Sequence, residues 1–148
     1  MSYNPTPPLG QATMANSSPV VIASDQSPLP VTVSSGGGSG LTTFHLISAN
    51  GNNLTSVKAT PGAVHGWFIY NNTTTVKKVA FHNTAGTPTA GAGILFSLVI
   101  PASSGANVSF PDGIDFSTGI AITTTAGIPD TDVAAVAVND LTINIFYK

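Results

Sequence analysis

Three histidines, six aspartates and one short aromatic run are the places where this chain of 148 residues could do chemistry. His45, His65 and His82 lie in separate strand-like stretches. A metal site would need them to converge with carboxylates, and their spacing alone does not bring them together. They read as hydrogen-bonded strand histidines. Four aspartates form two close pairs, Asp112 and Asp115 in "PDGID" and Asp130 and Asp132 in "PDTD". Oxygen-rich loops of this kind suit Ca2+, but the EF-hand pattern with its terminal Glu is absent. "PDG" is a turn formula in its own right, and "PDTD" reads as a turn or a helix cap. No metal and no cofactor are expected. A nucleophile elbow of the form GxSxG does not occur, and a chain without Glu is poorly equipped for paired-carboxylate chemistry. No enzyme is expected.

The aromatic run is "GWFIY", with Trp67, Phe68 and Tyr70. Strand alternation puts Trp67 and Ile69 on one face and Phe68 and Tyr70 on the other. An exposed platform for stacking sugars is one reading. Core on one side and a subunit contact on the other is the preferred one. "NNLT" (52–55) and "NNTT" (71–74) match the N-glycosylation sequon; they read as Asn-rich turns.

Composition narrows the class of protein. Hydrophobic residues make up 42 % of the chain and charged residues 7 %, against about 25 % charged in ordinary globular chains. All charge comes from four Lys and six Asp, with no Glu and no Arg. Those missing residues are the usual fillers of exposed helix faces; abundant Thr, Val, Ile and Asn favour strands. A net charge of −2 without a basic run speaks against nucleic-acid and membrane-surface partners. So little surface charge leaves a protein poorly protected from association, which favours an assembly. The absence of Cys removes disulfides and thiolate chemistry. "MSYNPTPPLG" lacks the basic and apolar regions of a secretory signal.

Three parts follow from the local pattern. Residues 1–34 read as an extended arm with two Pro-led strand segments, Pro19-Val20-Val21-Ile22 and Pro30-Val31-Thr32-Val33. Neither segment can make a core alone, so each is a candidate to complete another sheet. Residues 35–40, "SGGGSG", are a flexible linker. Residues 41–148 carry repeated short strands: 41–48, 54–59, 63–71, 76–83, 93–100, 105–110, 119–125 and 141–148. In 76–83 and 141–148 the apolar residues alternate, as in half-buried strands. Polar turns separate the strands, "PDG" (111–113) among them, and 130–138 is the one stretch suited to a helical turn. Eight strands at this spacing predict an all-β domain, a jelly-roll-type β-sandwich first and an immunoglobulin-like sandwich second.

The arm "GQATMANSSPVVIASDQSPLPVTVS" resembles an N-terminal segment of virion structural proteins of tailed bacteriophages. The stretches "TSVKATPGAVHGWFIYN", "VKKVAFHN", "FPDGIDFSTGIAITTT" and "DTDVAAVAVNDLTINIFYK" are similar to small phage virion proteins. The resemblance implies a non-enzymatic part of the virion, most like a small head decoration or cement protein on the outer surface of the phage head. Its partners would then be the major capsid protein or other virion proteins, and further copies of itself. A homotrimer is the first expectation and a dimer the second. The capsid-binding residues would be Pro19 to Ile22 and Pro30 to Val33. The alternative is a tail, neck or fibre component whose β-sandwich binds a host glycan. An arm of ~35 extended residues spans on the order of 100 Å, enough to reach between neighbouring capsomers.

Overall fold

A computed structural model describes residues 40–148. The two arm segments, Pro19 to Ile22 and Pro30 to Val33, lie outside the described residues. The described residues form eight strands and no helix: β1 (Thr42–Ile47), β2 (Thr55–Lys58), β3 (Gly62–Asn71), β4 (Lys77–Asn83), β5 (Phe96–Ile100), β6 (Ser104–Phe116), β7 (Ile120–Thr125) and β8 (Leu141–Tyr147). They make two four-stranded antiparallel sheets, ordered β1-β8-β3-β6 and β2-β7-β4-β5. The first strand pairs with the last, the second with the seventh, the third with the sixth and the fourth with the fifth. That nesting is one long antiparallel ribbon rolled up on itself. It defines the jelly roll predicted from strand count and turn chemistry.

The core lies between the sheets and follows the period of two. Leu141, Ile143 and Ile145 of β8 point inward, and so do Val79 and Phe81 of β4 and Ile120 and Ile122 of β7. Trp67 joins them at 7 % exposure. Its ring centroid lies 5.6 Å from Phe81, 5.9 Å from Phe96 and 5.4 Å from Phe110. Phe81 stacks on Phe96 at 4.6 Å. Val64 and Trp67 both face the core although they stand three positions apart, which in a regular strand puts them on opposite faces. The register of β3 shifts between Val64 and Gly66, and this bulge resets the alternation. Gly66 is needed there, because a Cβ would stand 2.6 Å from the Val108 carbonyl oxygen.

Three local expectations are corrected. "PDG" (111–113) does not end a strand. Val64 pairs with Ile114 and Gly66 with Ser109, so Phe110 to Gly113 loop out while β6 resumes beyond them. Gly113, at φ 79°, supplies the left-handed residue of that excursion. Residues 130–138 form no helix: one hydrogen-bonded turn, with the Asp132 N–H donating to the Pro129 carbonyl at 2.9 Å, leads into irregular chain tied by a bridge between Val136 and Gly51. β4 is not half-buried, because residues Lys77 to His82 are buried on both faces.

The cause is a roof. The connection 84–95, from β4 to β5, and the connection 126–140, from β7 to β8, cross the outer face of the second sheet. His82 Nδ1 meets the Gly93 carbonyl at 3.1 Å, and Lys78 Nζ donates to the Pro129 carbonyl and, at 3.5 Å, to Asp130. A Cβ on Gly91 would meet Val133 at 2.9 Å, so the two connections touch each other. Lys78 is left 1 % exposed. A long aliphatic stem packs well under such a cover while its ammonium reaches the loop carbonyl.

Candidate interaction face

The outer face of the other sheet, β1-β8-β3-β6, has no such roof among the described residues. Register lines up its outward side chains in rows. His45, Asn144, Phe68 and Asn107 form the middle row. Thr43, Phe146, Gly66 and Ser109 form the row on one side, and Ile47, Thr142, Tyr70 and Gly105 the row on the other. None of these is Lys or Asp. Phe68 is 43 % exposed and Tyr70 37 % exposed. Asn144 ties the face together, with its Oδ1 2.8 Å from His45 Nδ1 and its amide donating to the Phe68 carbonyl at 3.4 Å. Phe68, Asn107, Ser109, Asn144 and Phe146 line a shallow open depression.

The sequence-derived aromatic set therefore divides. Trp67 is core, while Phe68 and Tyr70 stand on the open face. Aromatic rings beside amides suit two occupants: the apolar and polar groups of a protein surface, or the CH face and hydroxyls of a sugar ring. The three rows hold no carboxylate, and the side-chain partner of His45 on this face is the amide of Asn144.

The other candidate groups do not converge on it. His45 lies on this face, His65 beside the out-looped part of β6 with Nδ1 3.3 Å from the Phe110 carbonyl, and His82 under the roof of the other sheet. Each histidine's hydrogen-bond partners are Asn, Thr or a backbone carbonyl, with no Ser or Asp among them. Among the described residues no three His or Asp side chains gather as a metal site would require. Asp132 caps the turn at Gly127, accepting its N–H at 2.8 Å, and Asp130 accepts from the Ser97 hydroxyl at 3.0 Å. These are loop-fastening roles.

Sequence reading missed the residue that organises one end of the sandwich. Asn71 is fully buried, at 0 % exposure. Its amide donates to the carbonyls of Thr75, Ile100 and Pro101 at 2.8, 3.1 and 3.0 Å, and its Oδ1 accepts from the backbone and hydroxyl of Thr73. Burial closes the sequon reading at this position. The available signal was an Asn ending an apolar strand just before a Thr-rich turn, where Asx turns are common.

Two titratable groups, the buried His82 and the half-buried Asp140, give the fold a sensitivity to acid. Burial pushes His82 below its usual value of 6.5, against the opposing pull of the Gly93 and Ala92 backbone. Burial would raise the Asp140 carboxyl above 3.8, but the Ala137 amide and the Lys77 ammonium at 3.0 Å outweigh it and hold the carboxyl lower. In both cases the unfolded chain binds the proton more readily than the folded one, so acid favours unfolding. The His82 contribution is complete above pH 6.5 and is lost as pH falls from there through its lowered folded value. The Asp140 contribution is complete above pH 3.8 and is lost below it. Urea midpoints measured against pH should fall in these two stages. His82→Gln should flatten the upper stage and Asp140→Asn the lower; a midpoint indifferent to pH below 6.5 contradicts the assignment.

The fold and this face define a jelly-roll β-sandwich with one roofed sheet and, among the described residues, one open sheet whose three central rows carry no Lys or Asp. No family model, no curated protein and no solved structure matches the chain.

Proposed function

We propose that this protein is a non-enzymatic structural component of a phage virion, a decoration or cement protein on the outer surface of the head. The observation that carries this reading is the division of labour along the chain. A stretch whose sequence reads as an extended arm with two Pro-led segments precedes a Gly/Ser-rich run and an all-β domain whose strands make their own core. The resemblance of the arm to phage virion proteins supplies the setting, and jelly rolls are common among viral capsid domains. The arm grips the shell by adding Pro19 to Ile22 and Pro30 to Val33 to exposed sheet edges of the major capsid protein or another virion protein. The jelly roll sits outside and associates with further copies of itself. Several arms held by one oligomer gain avidity without new contacts.

Removing residues 1–40 tests this. The remaining domain contains every strand and the whole core cluster described above. The full chain is expected to bind expanded capsids, and the truncated chain to lose most of that binding, by about 100-fold or more, since avidity through the arms is gone. Equal binding by both sinks the arm as anchor. A second reading rests on the exposed Phe68 and Tyr70 beside Asn107 and Asn144. It is a tail, neck or fibre component that binds a host glycan through this face. Glycan-array binding that Phe68→Ala abolishes would favour it over the first.

A further inference from the structure

Four strands lie at sheet edges: β1 and β6 in one sheet, β2 and β5 in the other. An exposed edge is a template for another strand, and proteins guard it with Lys, Pro, bulges or brevity. β6 carries Pro111, Asp112 and Asp115 and the out-looped segment. β2 has four residues, ends on Lys58 and breaks register between Ser56 and Lys58. β5 has five residues and runs straight into Pro101. β1 has none of these guards. Its six residues, TTFHLI, contain no Lys, Asp or Pro, and they pair with β8 in unbroken register.

Hydrogen-bond phase shows what this edge offers. Ser48 N–H donates to the Leu141 carbonyl at 2.9 Å. Antiparallel alternation then turns the amides and carbonyls of Phe44 and Leu46 toward β8, and those of Thr43, His45 and Ile47 toward the open edge. Among the described residues no strand pairs with that edge. Phe44 and Leu46 pack against the core yet are only partly buried, because the sandwich is open along this flank.

We propose that β1 is a dimer interface, pairing antiparallel with β1 of a second copy about a two-fold axis at His45. With His45 opposite its symmetry mate, Thr43 stands opposite Ile47 on both sides of the axis. All three are the edge-facing residues, so every one of these pairs exchanges both backbone hydrogen bonds. Phe44 then falls opposite Leu46 on the inner side, in the closer non-hydrogen-bonded pairing, and the two cover the open flank. A slip of one residue sets outer side chains against inner ones and loses both gains. The occupant that fits is a second copy: about this axis the strand is its own complement, hydrogen-bonded pairs and inner pairs alike, and it carries no Lys or Asp that a two-fold would set against itself. The two open outer faces join into one. A single short strand covers less than the roughly 1,200 Å² of a stable interface, so the dimer is reversible and grows with concentration. The inference concerns the protein in solution and does not depend on a virion role.

Sedimentation equilibrium of the full chain from about 1 μM to 1 mM, at mildly alkaline pH, tests it. A monomer–dimer equilibrium is expected. His45→Lys should weaken it about tenfold or more by opposing two cations, whereas His45→Thr should retain it. Amide exchange on the unmodified chain gives a second readout. Thr43, His45 and Ile47 should become protected as concentration rises, while Phe44 and Leu46 are protected throughout. A constant monomer or a trimer, or a His45→Lys variant that dimerises undiminished, overturns the proposal. So does concentration-independent protection of the three edge amides, which would assign the edge to a strand of the same chain.

Discussion

Replacing Phe81 with Ala is expected to cost about 3–5 kcal/mol of stability, the range for a buried aromatic truncated to methyl. Phe81 is fully buried at the centre of β4, stacked on Phe96 at 4.6 Å, with Trp67 at 5.6 Å and Phe116 at 6.3 Å. The aromatic cluster bridges the two sheets, so the cavity would open in the layer that holds them together. Collapse around it is hindered, because β4 is hydrogen-bonded on both sides and roofed above. A domain of this size holds about 5–15 kcal/mol in all. The variant should therefore show a much lower urea midpoint with an unchanged slope, and a melting temperature lower by on the order of 15 °C or more. Phe81→Leu, which keeps most of the volume, should fall between the two. A loss below about 1 kcal/mol for the Ala variant would mean that the cluster is not the centre of the core.

Asn71→Leu is the polar counterpart, with an expected cost of about 3–4 kcal/mol. The two side chains are similar in size, so packing is nearly conserved and the effect reports hydrogen bonds. The substitution leaves the carbonyls of Thr75, Ile100 and Pro101 and the backbone N–H of Thr73 without their partner. Each buried group left unsatisfied costs about 1–3 kcal/mol, and water reaches the outer ones. These bonds join the β3–β4 turn to the end of β5. Amide exchange should therefore quicken first at Thr73 to Thr75 and around Ile100, before the β8 amides change. Faster exchange spread evenly over both sheets would contradict a local role for Asn71.

These two residues show what sequence could and could not disclose. Phe81 was legible: it sits in a period-two strand beside Val79, and both are in the core. The alternating Leu141, Ile143 and Ile145 were legible for the same reason. Asn71 was not, because its three carbonyl partners lie 4, 29 and 30 residues away in sequence. The split within "GWFIY" was readable as an alternation. Which half would be covered was not, since that depends on what lies over each sheet.

The sequence by itself determined most of the strands, their inward faces and the all-β class. These rest on local rules: side-chain period, β-branching, and Gly, Pro and Asn at turns. Only the tertiary structure decided which sheet is roofed, that "PDG" is an excursion within β6, and that β1 is the unguarded edge. Each of these follows from pairings between distant strands. The same alternating pattern is stable with either face covered, until the connections 84–95 and 126–140 find each other over one sheet and, among the described residues, leave the other uncovered.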